Sequence, residues 1–507
     1  MVNRGSIVVP AALAALLALV LDLRALLPGL AMWDTAEFQA IGPVLGIAHP
    51  TGFPTYTLLA WVASVVLQPF GDPALRANLL SALLAAGAVG LTAASVVLLT
   101  RRPLLGLAAG AALATAPIAW SVGLRADAHA LHFFFVALLL LLLIRWSELR
   151  ERGTEGAGRW LVAAAGAYGL SLGNHALTLL LAPGIGLFVI ATSPGILRRP
   201  RLLGACIAAL TLTTAAVYAY LPVRSAMDPP LDYANPETWE AFRYVVLGEQ
   251  FRGTFSGVPD VPAVVDGLRV VAEQLGIAAV LGLLGAAAML VRRPRLLLLL
   301  GSWFVLTVLF AISYINAAID RYYLGPLLVT IVSAALGADW IWRSVEALRA
   351  RASAQNREPL GTPRSSGRVI ATVLGLALIL PSLATIPVRL RQVDASEETY
   401  GREWVETALA AFEPGAVVVS WWSFSTPLWY AQYVEGRRLD LLLLDDRTLL
   451  DRGIGTVPDA VDSYLGERPV YVIRLARDLP PLRERYRMAQ VPGFPGWGPV
   501  WRIEALL

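Results

Sequence analysis

PTYTLLAWVASVVLQP, residues 54–69, decides how this chain is threaded. The stretch is apolar and starts at proline. It is also short for a bilayer crossing, which takes roughly 20 residues at a hydrocarbon thickness of ~30 Å. If it crosses, every later loop changes sides. Arginine arbitrates, because cytoplasmic loops carry the excess of basic residues. The arginine-rich loops lie at 101–102, 145–159, 198–201, 292–295 and 343–368. With 54–69 not crossing, all five fall on the cytoplasmic side; with it crossing, all five fall outside. The stretch is therefore read as a re-entrant or surface-lying helix on the outer side.

Working outward, apolar runs recur at about 7–27, 75–99, 103–121, 128–145, 160–173, 175–193, 202–222, 271–291, 296–315, 322–343 and 368–388. The fold class that follows is mainly α: a polytopic membrane helix bundle of about 11 spans with the N-terminus inside. Composition agrees, since the 507 residues are 57% hydrophobic and only 15% charged, with a mean hydropathy of +0.62, where soluble domains average about a quarter charged. The opening MVNRGS and the apolar run after it imitate a signal peptide, but an uncleaved first helix is the expected reading. The lone Cys206 excludes an intrachain disulfide. The net charge of +4 reflects loop arginines and gives no case for nucleic acid.

After about residue 395 the pattern changes. FEPGAVVVSWW, STPLWYAQYVEG, RRLDLLLLDD and PVYVIRL read as strand, helix, strand and strand. The expected organisation is a membrane domain over 1–394, with its first outer loop at 28–74, and a small soluble α/β domain over 395–507 on the outer side. RASAQNREPLGTPRSSGR, residues 351–368, reads as a solvated linker.

This threading collects the chemistry on one face. All four histidines (His49, His129, His132, His175) fall within a turn or two of the outer surface, as do Asp34, Glu37, Asp127, Arg125, Arg224, Asp320 and Arg321. Ionisable groups at membrane depth are costly and mark function. Asp34 and Glu37 stand at i, i+3, on one face if WDTAEFQAIG is helical. Two such acids can take a proton from an attacking hydroxyl or hold a divalent cation; the wet side of an interfacial helix has the same spacing. His49, in the turn HPTGFP, can serve as a phosphate donor or as an acid or base. His129 and His132 share a helix face, but without HxxxH or HExxH spacing they make no zinc site, and no metal ligands are assigned. Asn174 and His175 interrupt an apolar stretch as a hairpin turn does. Arg76, Arg125, Arg224 and Arg321 are read as the arginines near the membrane on this face, and guanidinium suits phosphate geometrically. Trp421, Trp422, Trp429 and Tyr430 of the C-terminal part can stack on sugars or pack its core, and packing is the expected role.

Several longer patterns resemble a known family. Asp34-Thr35-Ala36-Glu37-Phe38, then Gly46-Ile47-Ala48-His49-Pro50-Thr51-Gly52-Phe53-Pro54, is similar to the opening motif of the DUF2723 family of GT-C membrane glycosyltransferases, which includes the TMEM260 protein O-mannosyltransferase. RANLLSAL (76–83), GLSLGNHALTLLLAP (169–183), YLPVRSAMDPPLDYANPETWEAF (220–242) and TPLWYAQYVEGRRLDLLLLD (426–445) also resemble it. Departures are Ala36 where Gly is common, Asp127 where Glu is frequent, and SWWSFST where an acidic run often precedes PLWY. The resemblance implies a GT-C fold, an active site in the first outer loop, a polyprenyl-phosphate sugar as donor and Asp34 at the catalytic acid position.

The resulting expectation is a multi-pass plasma-membrane enzyme. It moves a monosaccharide, mannose first among them, from a polyprenyl-phosphate to a hydroxyl of a protein or glycan acceptor. Asp34 and Glu37 are the catalytic candidates. Arg224, Arg125, His49, Arg321, Arg76, Asp127, His129, Asn174 and His175 are the candidates for holding donor phosphate and sugar. The rival readings are transfer to a glycolipid or cell-wall glycan, and a lipid-linked-substrate transporter or flippase. The transporter would need midplane polar sites in repeated halves, and this sequence shows neither.

Overall fold

The computed structural model describes residues 4–316, 318–356, 373, 375–376, 379–494 and 498–507. The membrane part runs as α1 (Arg4–Ala25), α2 (Trp33–Val44), α3 (Pro54–Val66), α4 (Pro73–Thr100), α5 (Pro103–Ala114), α6 (Pro117–Ser121), α7 (Ala128–Glu151), α8 (Gly158–Leu172) and α9 (Ala182–Thr192). It continues as α10 (Pro200–Tyr218), α11 (Tyr220–Ser225), α12 (Trp239–Val246), α13 (Val261–Leu275), α14 (Ile277–Arg292), α15 (Pro294–Ser313) and α16 (Leu324–Asn356). Prolines open α3, α4, α5, α6, α10 and α15, where the missing N–H costs no hydrogen bond.

Among the described residues, six helices are long and apolar enough to cross a membrane, or seven if the pair α13–α14 counts as one span. That pair corrects the expected span 271–291. The chain bends by 113° between Leu275 and Ile277, at Gly276 with φ of 53°, so the expected span straddles a corner. The expected span 103–121 is likewise two helices, parted before Pro117, and 175–193 opens with a 3-10 turn, Ala176–Leu181. The linker read over 351–368 begins as helix, because α16 continues to Asn356 through good helix formers such as Ala and Arg. Its remainder, and most of the expected span 368–388, lie outside the described residues.

Segment 54–69 folds as α3 followed by a short 3-10 turn. At 13 residues, α3 rises only about 20 Å. Asn78, early in α4, donates to the carbonyl of Leu27, just past α1, at 2.9 Å. The chain therefore leaves α1 and enters α4 at the same end of the bundle. The candidate turns meet at that end too: Leu27 N–H donates to Leu124 at 3.0 Å, Thr55 N–H to Gly173 at 3.0 Å, and Ile47 N–H to Leu231 at 2.7 Å. The arginine-rich loops meet at the other end, where Arg101 and Arg145 pair with Glu148 and Arg102 pairs with Asp339.

Small residues let the helices approach. A Cβ on Gly285 of α14 would stand 1.7 Å from the Ser333 carbonyl oxygen of α16, so only glycine fits that crossing.

The C-terminal region forms one five-stranded sheet in the order β2-β1-β3-β5-β4. Its strands are β1 (Val417–Ser420), β2 (Leu442–Asp445), β3 (Val470–Ile473), β4 (Tyr486–Gln490) and β5 (Val500–Leu506). The central parallel strands β1 and β3 are buried throughout, as their unbroken apolar runs require. The antiparallel pair β4–β5 was not among the expected strands. This region is docked on the bundle: the Tyr430 hydroxyl accepts from Ala74 N–H at 3.0 Å, and Ala395 N–H donates to Ala25 at 3.0 Å.

Candidate active site

Helix α2 begins just after the chain leaves α1, so Asp34 sits in its first turn, where the positive end of the helix dipole favours a carboxylate. One turn on, Glu37 points inward and is 2% exposed. Its oxygens accept the His49 backbone N–H at 2.9 Å and a short contact from the His49 ring. The shared face read from the i, i+3 spacing therefore splits into two tasks. Asp34 remains 37% exposed, while Glu37 clamps the HPTGFP turn. That turn is tight: Gly52 has φ of +79°, and a Cβ there would meet Val245 at 3.0 Å and Leu221 at 3.1 Å.

A second element arrives from α7. Asp127 caps that helix, accepting from His129 N–H at 2.8 Å and from the His129 ring at 2.9 Å. Arg321, on the 3-10 turn leading into α16, joins the two elements. Its guanidinium lies 2.7 Å from Asp127 and 3.3 Å from Asp34. Asp127 is 4% exposed. Burial pushes its carboxyl upward, but Arg321 and His129 outweigh burial and hold it well below the usual carboxylate range. For His49 burial favours the neutral ring, yet Glu37, with help from Asp34, raises its pKa above the ordinary 6.5.

These groups wall a cavity of about 220 Å³. Asp34, His49, His129, His175 and Arg321 line it; Glu37 and Asp127 stand directly behind as their partners. The His129 and His175 rings lie 4.5 Å apart. The Nδ1 atom of His175 accepts from Leu177 N–H at 3.1 Å. Phe251, Phe255 and Phe310 add apolar lining.

Four candidates take other places. Arg224 donates to the Leu45 and Val44 carbonyls at 2.8 and 3.1 Å, satisfying the C-terminus of α2. Arg125 pairs with Glu398 on the surface at 3.1 Å. Arg76 ties down the chain after α3 through the Gly71 and Ser64 carbonyls, each at 2.8 Å. Asn174 is fully buried and donates to Ala128 at 3.0 Å. None of the four lines the cavity. Sequence reasoning missed Arg252, Tyr314, Asn316 and Tyr322, which do. Arg252 pairs with Glu249 at 2.9 Å; its place in the long 224–266 loop on the arginine-poor face was the available signal. The tryptophans behave as expected of packing residues, Trp429 being 8% exposed; Trp422 also meets the His49 ring edge-on at 5.3 Å. Among the described residues, no group of three or more His, Cys, Asp or Glu is arranged to hold a metal ion.

Residues 34–195 match the family model described as the protein O-mannosyl-transferase TMEM260 N-terminal domain. Mouse protein O-mannosyl-transferase TMEM260 is 33% identical over 263 residues, half of this chain and 35% of that protein, so the chain spans about a third of this relative's length. Among solved structures, ArnT from Cupriavidus metallidurans bound to undecaprenyl phosphate matches with a TM-score of 0.62 at 16% identity, over 99% of this chain and 98% of ArnT. The Archaeoglobus fulgidus oligosaccharyltransferase in its apo form matches with a TM-score of 0.56 at 13% identity, over 96% of this chain and 73% of that one. The chain is therefore a multi-pass membrane protein with the GT-C fold, and its residues 34–195 are similar to the TMEM260 N-terminal domain.

Proposed function

We propose that the chain is an inverting glycosyltransferase that moves a monosaccharide, mannose in our reading, from a polyprenyl-phosphate to a hydroxyl acceptor, Ser or Thr of a protein. The observation that carries this is one accessible carboxylate, Asp34, fixed by Arg321 on the wall of a cavity lined by both polar and apolar side chains. The apolar lining suits an isoprenoid. The names of the relatives point the same way, one a protein O-mannosyl-transferase, the other bound to undecaprenyl phosphate.

In this mechanism Asp34 accepts the proton of the acceptor hydroxyl as its oxygen attacks the anomeric carbon. The bond from that carbon to the phosphate oxygen breaks on the opposite face, and its electron pair leaves with the lipid phosphate. One displacement inverts the centre. Arg252 and the His49 ring, whose proton Glu37 and Asp34 favour, oppose the charge that develops on the phosphate, where preorganised positive groups are most effective. Arg321, already shared by two carboxylates, orients Asp34. Glu37 acts through His49. The membrane domain over 1–394 performs the transfer, and the region 395–507 presents the acceptor. The reaction face is the outer side of the plasma membrane, because the arginine-rich loops gather at the other end.

The test uses purified protein in liposomes, radiolabelled polyprenyl-phosphomannose, and Ser/Thr peptides or membrane glycolipid as acceptors. Wild type is expected to label peptide, and Asp34→Asn to label nothing at equal protein yield. Labelling of glycolipid alone would replace the acceptor and keep the chemistry. Full transfer by Asp34→Asn would remove the proposed base.

A further inference from the structure

A second, smaller cavity of about 110 Å³ lies at the far end of the bundle. Helix α15 measures the separation. Its C-terminus runs into Tyr314, on the wall of the first cavity, and it starts after Arg293, on the wall of the second. Its 20 residues rise about 30 Å, a membrane thickness.

Arg292, Arg293 and Arg343 line this cavity together with a single carboxylate, Asp339. Asp339 is buried and already engaged: one oxygen accepts from Arg102 at 2.6 Å, the other from Arg343 at 2.8 Å. Arg102 is fixed further, lying over the Trp342 ring at 3.5 Å. Arg293 donates to the Leu99 carbonyl at 2.8 Å. Among the described residues, neither Arg292 nor Arg293 forms an ion pair, though Asp339 and Glu151 attract Arg293 at longer range, so the wall sets three guanidiniums against one carboxylate. The N-terminus of α15, which no side chain caps, adds the positive end of a helix dipole. The rest of the wall is apolar, from Met289, Leu336 and Trp340. Just beside it, Leu290 and Val291 of α14 are 65% and 81% exposed, as side chains facing lipid are.

We propose that this cavity binds the phosphate of an anionic phospholipid, whose acyl chains lie along Leu290 and Val291. Guanidinium forks match phosphate oxygens, and basic pockets between helix ends are where acidic headgroups bind. A free phosphate would satisfy the arginines but leave the apolar side without an occupant, so the lipid is favoured. The bound headgroup would join the end of α14 and the start of α15 to the middle of α16, and so raise the thermal stability of the bundle.

The experiment is native mass spectrometry of the delipidated full chain titrated with phosphatidylglycerol, phosphatidylcholine or inorganic phosphate, with thermal unfolding alongside. Wild type is expected to retain one phosphatidylglycerol in preference to phosphatidylcholine and to melt higher in its presence. Arg292→Gln combined with Arg343→Gln should weaken that binding about thirtyfold, taking ~1 kcal/mol for each arginine near the headgroup. Should that variant fail to fold, added salt on wild type serves instead, and should weaken phosphatidylglycerol binding while leaving phosphatidylcholine unaffected. Equal retention of the two lipids, unchanged binding by the variant, or equal binding of inorganic phosphate would each overturn the proposal.

Discussion

The two ends of the bundle are built from the same charged parts in inverse proportion. At the cavity end one guanidinium, Arg321, stands between two carboxylates, Asp34 and Asp127. At the far end one carboxylate, Asp339, stands between two guanidiniums, Arg102 and Arg343. In each triad the central group cannot lose its partners, because an uncompensated charge in a poorly solvated place is costly. The outer members differ in freedom. Asp34 is longer-bonded and far more exposed than Asp127, and Arg343 more exposed than Arg102. In the two roles proposed here, a base at one end and an anion receptor at the other, the looser member is the one that acts.

The largest expected effects test the cavity triad. Asp34→Asn should lower transfer by about 10²–10⁴, the range of a general base, with unfolding unchanged; equal loss of rate and stability would make Asp34 a structural group instead. Arg321→Gln should destabilise the protein by about 3–5 kcal/mol, since it leaves the buried Asp127 charge without its guanidinium and with His129 alone beside it. The double variant Asp127→Asn, Arg321→Gln should regain most of that stability in denaturant unfolding and remain inactive. If Arg321→Gln alone unfolds like wild type, Asp127 is not held charged, and the contrast between the two ends fails.

How far the sequence foretold this contrast depends on which residues are asked. The bundle and the meeting of the candidate turns at one end could be read from apolar run lengths and arginine placement, because both follow from solvation alone. The corner at Gly276 could not, since apolar composition is continuous across it and only the backbone geometry reveals the bend. Within the site, Asp34, His49, His129, His175 and Arg321 were named beforehand and line the cavity. Arg224 was named for a good reason, its rarity on that face, yet it serves the α2 C-terminus. Whether a guanidinium meets a ligand or a helix end depends on its reach across 180 residues of sequence, which no local pattern encodes. Arg252 was missed for the converse reason: a loop charge looks solvated until the loop folds over the cavity.

Smaller effects sharpen the comparison. Gly52→Ala should cost about 1–3 kcal/mol, the range for a side chain forced into an unfavourable backbone region, since its φ is +79° and its Cβ would press on Val245 and Leu221. It should also weaken donor binding by displacing His49. Unchanged donor affinity alongside lost stability would separate the turn from the site.

The smallest effect expected is on pH dependence, and it bears on only one end. The His49 ring has a pKa above the ordinary 6.5, because Glu37 and Asp34 outweigh the burial that opposes its charge. A histidine held above its unfolded value contributes stability that is fully present below about pH 6.5 and is lost as pH rises through the folded value. Wild-type thermal midpoints should therefore fall across the window just above pH 6.5, and His49→Gln should flatten that part of the curve. Parallel curves for the two proteins would show that the Glu37 contact does not hold a proton on the ring. The far end provides the control, because arginine does not titrate in this window. Stabilisation by an acidic lipid should keep one size from pH 6 to 8, while the cavity end alone responds to the proton.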